Sequence, residues 1–343
     1  MKLKSGFFIV MVLTQIIVLD SPRVAQGAEE AITLTVTGIQ WAMKIKTPGF
    51  VLDQRRAESS GQSAYFMASN KATGVILSGR MENRGRTGTA KEAREYFWEG
   101  TKEAPFKMDD VKMSESDQMP TVEYMVREFH GTAINQKSLW AYFTKDQYWV
   151  NLHLSKTNFS PGEETLFKPI LESVFFEDKT PGKKTKTSYR VSEVHVLTLE
   201  VPYGWQDEIQ RSKGDPLPTI VFRPEKLPAS DILVTPIWNP QQEEGFNSAE
   251  RIRKILEEGG RGALAESVEK DLNFREFKGK SGTGWYFTLT DKASHIKPGE
   301  YKYMTQGGIG VGHLLVMFTI FTNEEDSGYI PAALEMVAHA EQN

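Results

Sequence analysis

Residues 148–155 read YWVNLHLS, and they follow a polar Lys145-Asp146-Gln147 break after a second aromatic run, SLWAYFT at 138–144. Tyr148, Val150, Leu152 and Leu154 alternate with Trp149, Asn151, His153 and Ser155. Successive side chains of a strand point to opposite faces, so each set owns one face. Two such runs around a short polar turn predict an antiparallel hairpin.

Working outward, amphipathic helices stand beside such hairpins. Thr89 to Glu99 places Ala93, Tyr96 and Phe97 at helical spacing, and the stretch after Asn247-Ser248 does the same with Ile252, Ile255 and Leu256. Thr89 with Glu92 and Asn247 with Glu250 have the spacing of a reciprocal capping box. Gly100 and Gly259-Gly260 are the expected stops. Helices before and after antiparallel strands predict the α+β class, a mainly antiparallel sheet flanked by helices.

The chain also repeats itself. REFHG (127–131) returns as REFKG (275–279), and other landmarks recur in order. KIKTPGF (44–50) is matched by LTLEVPYGW (197–205), the Thr89 helix by the Asn247 helix, Tyr142-Phe143 by Tyr303-Met304, and LESV (171–174) by LEMV (334–337). Spacing between partners ranges from 148 to 163 residues. Between the halves lies EDKTPGKKTKTSYR (177–190), polar and carrying Pro-Gly, the composition of a solvated linker. The expected organisation is a first domain at 31–176, a linker at 177–190 and a second domain at 191–343, two tandem copies of one unit.

VPYGW (201–205) and FKPILESVFF (167–176) resemble the PsbP-like superfamily, which includes the extrinsic subunit of the oxygen-evolving complex and a Ran-binding nuclear import factor. The resemblance implies an α-β-α sandwich in each half and a binding or scaffolding role. It carries no catalytic residues over. The first half departs from it, with Pro-Gly-Phe where the second has Pro-Tyr-Gly-Trp.

Residues 1–27 read as a secretory signal, with Lys2 and Lys4, an apolar run from Phe7 to Leu19 and small residues around Ala25 to Ala28. Their removal takes the net charge from −4 to −6, because Lys2, Lys4 and Arg23 leave together with Asp20. The expected location is periplasmic or secreted. Acidity argues against a nucleic-acid partner, and no later stretch has transmembrane length. The chain has no cysteine, which excludes disulfides, thiol chemistry and Cys-bound metal.

Motifs for catalysis are weak. QGGIGVG (306–312) fails the dinucleotide spacing, since His313 stands five positions after Gly308 and a strand-like LLVMFTIF follows. GKS (279–281) lacks the glycine of a phosphate loop, with Phe274 in its place. Ser267/Lys270 and Ser294/Lys297 match S-x-x-K without supporting motifs. His130, His153, His195, His295, His313 and His339 form no local metal pattern. The acidic runs Glu324-Glu325-Asp326, Asp109-Asp110 and Glu243-Glu244 read as helix-entry or loop charge. Arg127/Glu128 and Arg275/Glu276 are expected to need partners inside a helix-covered sheet. Trp140, Trp149, Trp205, Trp238 and Trp285 read as core or as stacking platforms.

No catalytic, cofactor or metal residue is therefore assigned, and no ligand or partner contact is identified. The expected function is a non-enzymatic exported protein that docks to or scaffolds an envelope partner. The alternative is a small-molecule or lipid carrier with a pocket between sheet and helix. An enzyme assembled from distant residues is a third reading.

Overall fold

The computed structural model describes residues 31–57, 61–180, 182–211, 217–225, 230–241, 243–325 and 328–343. The signal segment 1–27 lies outside the described residues. The chain divides into two compact units, one ending at Pro181 and the other starting at Gly182.

The first unit opens with β1 (Ala31–Leu34), β2 (Trp41–Lys46), β3 (Val51–Ala57), β4 (Ser63–Asn70) and β5 (Val75–Asn83). Helix α1 (Ala90–Lys102) follows, then β6 (Asp109–Met113), β7 (Thr121–Phe129), β8 (Thr132–Lys145) and β9 (Tyr148–Lys156). The short α2 (Lys168–Glu172) and β10 (Phe175–Asp178) close it. The second unit comprises β11 (Lys184–Arg190), β12 (Val196–Pro202), β13 (Trp205–Arg211), β14 (Pro218–Pro224) and β15 (Ser230–Trp238). It continues with α3 (Ala249–Leu264), β16 (Arg275–Gly279), β17 (Gly282–Thr290), β18 (Tyr303–Val311) and β19 (Leu314–Thr322), and ends with α4 (Tyr329–Ala338) and β20 (Glu341–Gln342).

Among the described residues, the ladders within each unit are antiparallel. In the first unit seven strands run β3-β4-β5-β9-β8-β7-β6, and three run β1-β2-β10. In the second the orders are β13-β14-β15-β19-β18-β17-β16 and β11-β12-β20. The two units thus share one strand order, position for position.

The expected helix-flanked α-β-α sandwich is not what forms. Half of the described residues are in strands and about 16% in helices. In each unit one long helix covers part of one sheet face; in the second unit α4 packs against β16, β18 and β19, and Tyr189 of β11 meets Phe222 of β14. In the first unit β1 lies against β4 and β5, and Leu34, Met43, Ile45, Leu77 and Met81 are fully buried. The physical reason is plain in β2, where Trp41, Met43 and Ile45 alternate as in a strand with one apolar face. Trp41 also donates from Nε1 to Asp146 Oδ2 at 2.7 Å, tying β2 to the β8–β9 turn.

Local expectations fared unevenly. The Thr89 capping box forms as read, but α1 runs through Gly100 to Lys102. Tyr96 is exposed rather than buried; its hydroxyl donates to Glu82 and Arg84 lies over its ring. Ser248, not Asn247, caps α3, accepting from the Arg251 amide. Asn247 instead donates to the carbonyls of Gly312 and Leu314. Helix α3 passes straight through Gly259-Gly260. A Cβ on Gly260 would come within 2.7 Å of Phe287 Cζ and 2.9 Å of Leu272 Cδ1, so this glycine allows close helix–sheet approach instead of ending the helix.

Segment 177–190, read as a linker, holds the end of β10 and all of β11. Its lysines lie at the strand margin, with Lys184 and Lys186 paired to Glu335 and Glu341. Thr187, Ser188 and Tyr189 are buried, and Tyr189 donates to Asp207 at 2.8 Å. Polar composition hid a strand in which Ser188 bonds to Thr198 and Tyr189 to Asp207.

The REF match is also displaced. REFHG ends β7 and enters its hairpin turn, whereas REFKG is β16, the counterpart of β6 in strand order. Arg127 is exposed and pairs with Asp110 at 2.7 Å. Arg275 and Glu276 are exposed too. Neither pair is buried in a helix-covered sheet.

Candidate functional site

On the face of the first unit's sheet beneath α1, pairing sets Ser78 of β5, His153 of β9, Trp140 of β8 and Val122 of β7 in one row. The neighbouring row carries Arg80, Asn151 and Tyr142. Alternation along β8 and β9 directs Tyr142, Trp140, Trp149 and His153 to the same side. Ala93 of α1 closes over Val122, Tyr124, Val126, Tyr142 and Trp149, with Phe97, Trp98 and Trp140 around the margin.

This aromatic layer contains polar atoms of two kinds. Trp140 Nε1 donates to Tyr124 Oη at 3.2 Å, while its indole stacks on the His153 ring, centroids 4.1 Å apart and planes 11° from parallel. In contrast Tyr142 Oη, Trp149 Nε1 and His153 Nε2 are buried and have no hydrogen-bond partner. Burial pushes the His153 imidazole down to about 4, keeping it neutral near pH 7. Burial also raises the Tyr142 phenol, helped by nearby Tyr124 and opposed by Arg94.

An unpaired buried polar group costs roughly 1–3 kcal/mol. Tyr142→Phe deletes one such group while keeping the ring. It is expected to leave stability unchanged or raise it by about 1 kcal/mol, read from urea unfolding. A clear loss of stability would mean that the hydroxyl is bonded after all.

Chemically, the arrangement offers flat aromatic surface, a neutral imidazole and two further hydrogen-bonding atoms, a set suited to an uncharged ligand. It belongs to the first unit. At the same distances from the β18–β19 turn, the second unit has Thr319 for His153, Gln306 for Trp140 and Gly308 for Tyr142. The second unit's corresponding cluster is aliphatic and aromatic, built on Ile252, Leu256, Phe287, Leu289, Met304 and Leu315.

The other motif residues are dispersed. QGGIGVG forms most of β18 and its turn, and a Cβ on Gly310 would strike the Asn247 carbonyl. GKS makes the β16–β17 turn. Ser267 is buried and donates to backbone carbonyls, and Ser294 lies in the loop after β17. Asp109 and Asp110 face Arg127, and Glu243 accepts from Arg251. Asp326 lies outside the described residues.

Of the histidines, His130 sits in a turn against Phe129, and His339 ends α4 beside Glu200. His295 lies in an exposed loop. Folding does bring His195 and His313 together: Gln342 reaches His195 Nδ1 at 2.9 Å and accepts from the His313 amide. Burial and the nearby His313 lower the His195 pKa. Among the described residues no three His, Asp or Glu side chains converge as a cation cage.

Trp149 is core, Trp140 and Trp285 are half-buried, and Trp205 meets Tyr329 edge to face. In the second unit Arg223 binds Glu208 and Asp231, each at 3.0 Å, and Tyr301 donates to Asp231 at 2.9 Å, a closed network on the sheet face. Trp140 and Trp149 stand out in the sequence as candidate platforms, whereas His153 and Tyr142 join them only through the fold. The visible signal was that His153 and Trp149 share one parity on β9. Among the described residues no helix is long and apolar enough to cross a membrane. Compared with protein-family models, curated proteins and solved structures, the chain matches none.

Proposed function

We propose that this chain is an exported, non-enzymatic binding protein whose two β-rich units dock onto an envelope protein partner. The observation that carries the reading is the shared strand order of the two units, since a repeated module gives one chain two surfaces of related build. Two linked modules that engage one target raise the effective concentration of the second contact. The resemblance of VPYGW and FKPILESVFF to PsbP-like motifs agrees with a binding role, although the sandwich layering it implies does not form.

The test is affinity capture from envelope extract with tagged chain beginning at Ala28, competed by an excess of untagged chain. A protein retained without competitor and released by it agrees with docking. Retention of nothing, or of proteins indifferent to competition, sinks it.

A second reading, a small-molecule carrier, is favoured by one observation: Tyr142 Oη, Trp149 Nε1 and His153 Nε2 lie unpartnered on the same sheet–helix interface. Native mass spectrometry of gently purified chain separates the two. A stoichiometric adduct that is lost in His153→Phe favours the carrier, and a bare chain mass counts against it.

A further inference from the structure

Each seven-strand run ends in a strand with one neighbour, β6 in the first unit and β16 in the second. Such an edge presents unpaired N–H and C=O groups to any extended chain, and proteins blunt it with bulges and twist. Strand β6 is blunted in this way. Its register with β7 slips between Asp109 and Lys112, and Asp110 takes a positive φ of 55°. Strand β16 is not. Arg275 to Gly279 pair with Tyr286 to Gly282 without a shift, and Arg275, Glu276 and Lys278 are exposed.

The phase of the ladder says which groups face outward. The two-residue turn Lys280-Ser281 joins Gly279 to Gly282, the pair that hydrogen-bonds across such a turn. Bonding then alternates along the strand, so Phe277 and Arg275 also bond to β17. Glu276 and Lys278 therefore direct their backbone groups to the open edge. Their side chains form an ion pair with each other. Phe277 points to the other face, against Tyr286 and Phe318.

We propose that β16 pairs antiparallel with β16 of a second copy of this chain, centred on Phe277. The local sequence is self-complementary about that residue. Glu276 of each copy falls opposite Lys278 of the other, and the two residues exchange both backbone bonds. Opposite charges set directly across a ladder stabilise it, and like charges destabilise it. Phe277 meets Phe277 across the two-fold axis. The pairing ends at Lys280, whose amide is already held by the Ala338 carbonyl at 2.8 Å. So short a contact gives a concentration-dependent dimer, isologous as a two-fold interface must be.

Sedimentation equilibrium of chain beginning at Ala28, over a range of concentrations, tests the idea through charge reversal. The expected result for the unaltered chain is a monomer–dimer equilibrium. Glu276→Lys alone, or Lys278→Glu alone, sets like charges opposite each other and should weaken dimerisation at least about tenfold. Mixing these two variants places Lys opposite Glu in both pairs of a heterodimer, and dimerisation should return. The mixture cannot repair the ion pair within either chain, so recovery reports the contact between copies. Melting by circular dichroism checks that each variant folds. A chain monomeric at its highest soluble concentration overturns the proposal. So does a dimer indifferent to both reversals, or folded variants whose mixture stays monomeric.

Discussion

Phe287→Ala is expected to lower stability by about 3–5 kcal/mol, the range for deleting a fully buried phenyl ring. The ring is wholly shielded from solvent and meets Phe274 edge to face at 5.6 Å. Gly260 of α3 stands above it, with no side chain to fill the space left behind. Little relaxation is available, because sheet and helix both fix the walls. Urea unfolding followed by circular dichroism gives the loss directly. A companion change makes the test sharper. Gly260→Ala by itself should destabilise, because its methyl would press on Phe287 and Leu272. In the double variant that methyl enters the vacated volume, so the combined loss should fall short of the sum. Additive losses would show that the helix and β17 do not share this contact.

Acidification from pH 6.5 to 4 is expected to remove about 2–3 kcal/mol through His153. The folded pKa lies near 4, below the ordinary value of 6.5. Within that window the unfolded chain binds a proton that the folded chain refuses, so stability falls as pH falls. Above 6.5 both states are neutral at this position and the effect vanishes. His195, also lowered, acts in the same direction. Glu335 and Glu341, lowered first by hydrogen bonds from Lys184 and Lys280, lose stabilisation at still lower pH. His153→Gln carries no titrating proton. Comparing its unfolding free energy with that of the unaltered chain at pH 7 and pH 4 isolates the share due to His153. Equal pH dependence in both proteins would place the imidazole in contact with water.

Much of the strand order was written in ordered landmarks. Pro48 just after β2 and Pro202 at the end of β12 are 154 residues apart, Tyr142 of β8 and Tyr303 of β18 are 161 apart, and Leu171 of α2 and Leu334 of α4 are 163 apart. Each pair falls on corresponding elements, although the turn registers put Gly308, 166 residues on, at the place of Tyr142. Arg127 and Arg275, at 148, break the series, and β7 and β16 are indeed not counterparts. A five-residue identity carried less information than the drift around it. Layering was less legible. A strand shows which of its faces is apolar, but not whether a helix or another sheet covers it. The polar run at 184–190 hid β11, because lysine stems, threonines and one buried tyrosine satisfy a ladder without a long apolar stripe. Of the candidate site, the parity of Trp149 and His153 could be read on β9. Their meeting with Tyr142 and Trp140 required the β8–β9 register.

The pairing of β2 with β10 has a consequence for how the chain acquires its shape. Some 129 residues separate Lys46 from Phe175, and Pro202 stands 139 before Glu341, yet each pair of strands lies side by side. Contacts this distant along the chain carry a large closure entropy and form late. Either unit therefore stays open at one ladder until its last residues have emerged from synthesis. Slow closure is built into the topology, and deleting Glu341 and Gln342 would take β20 from beside β12.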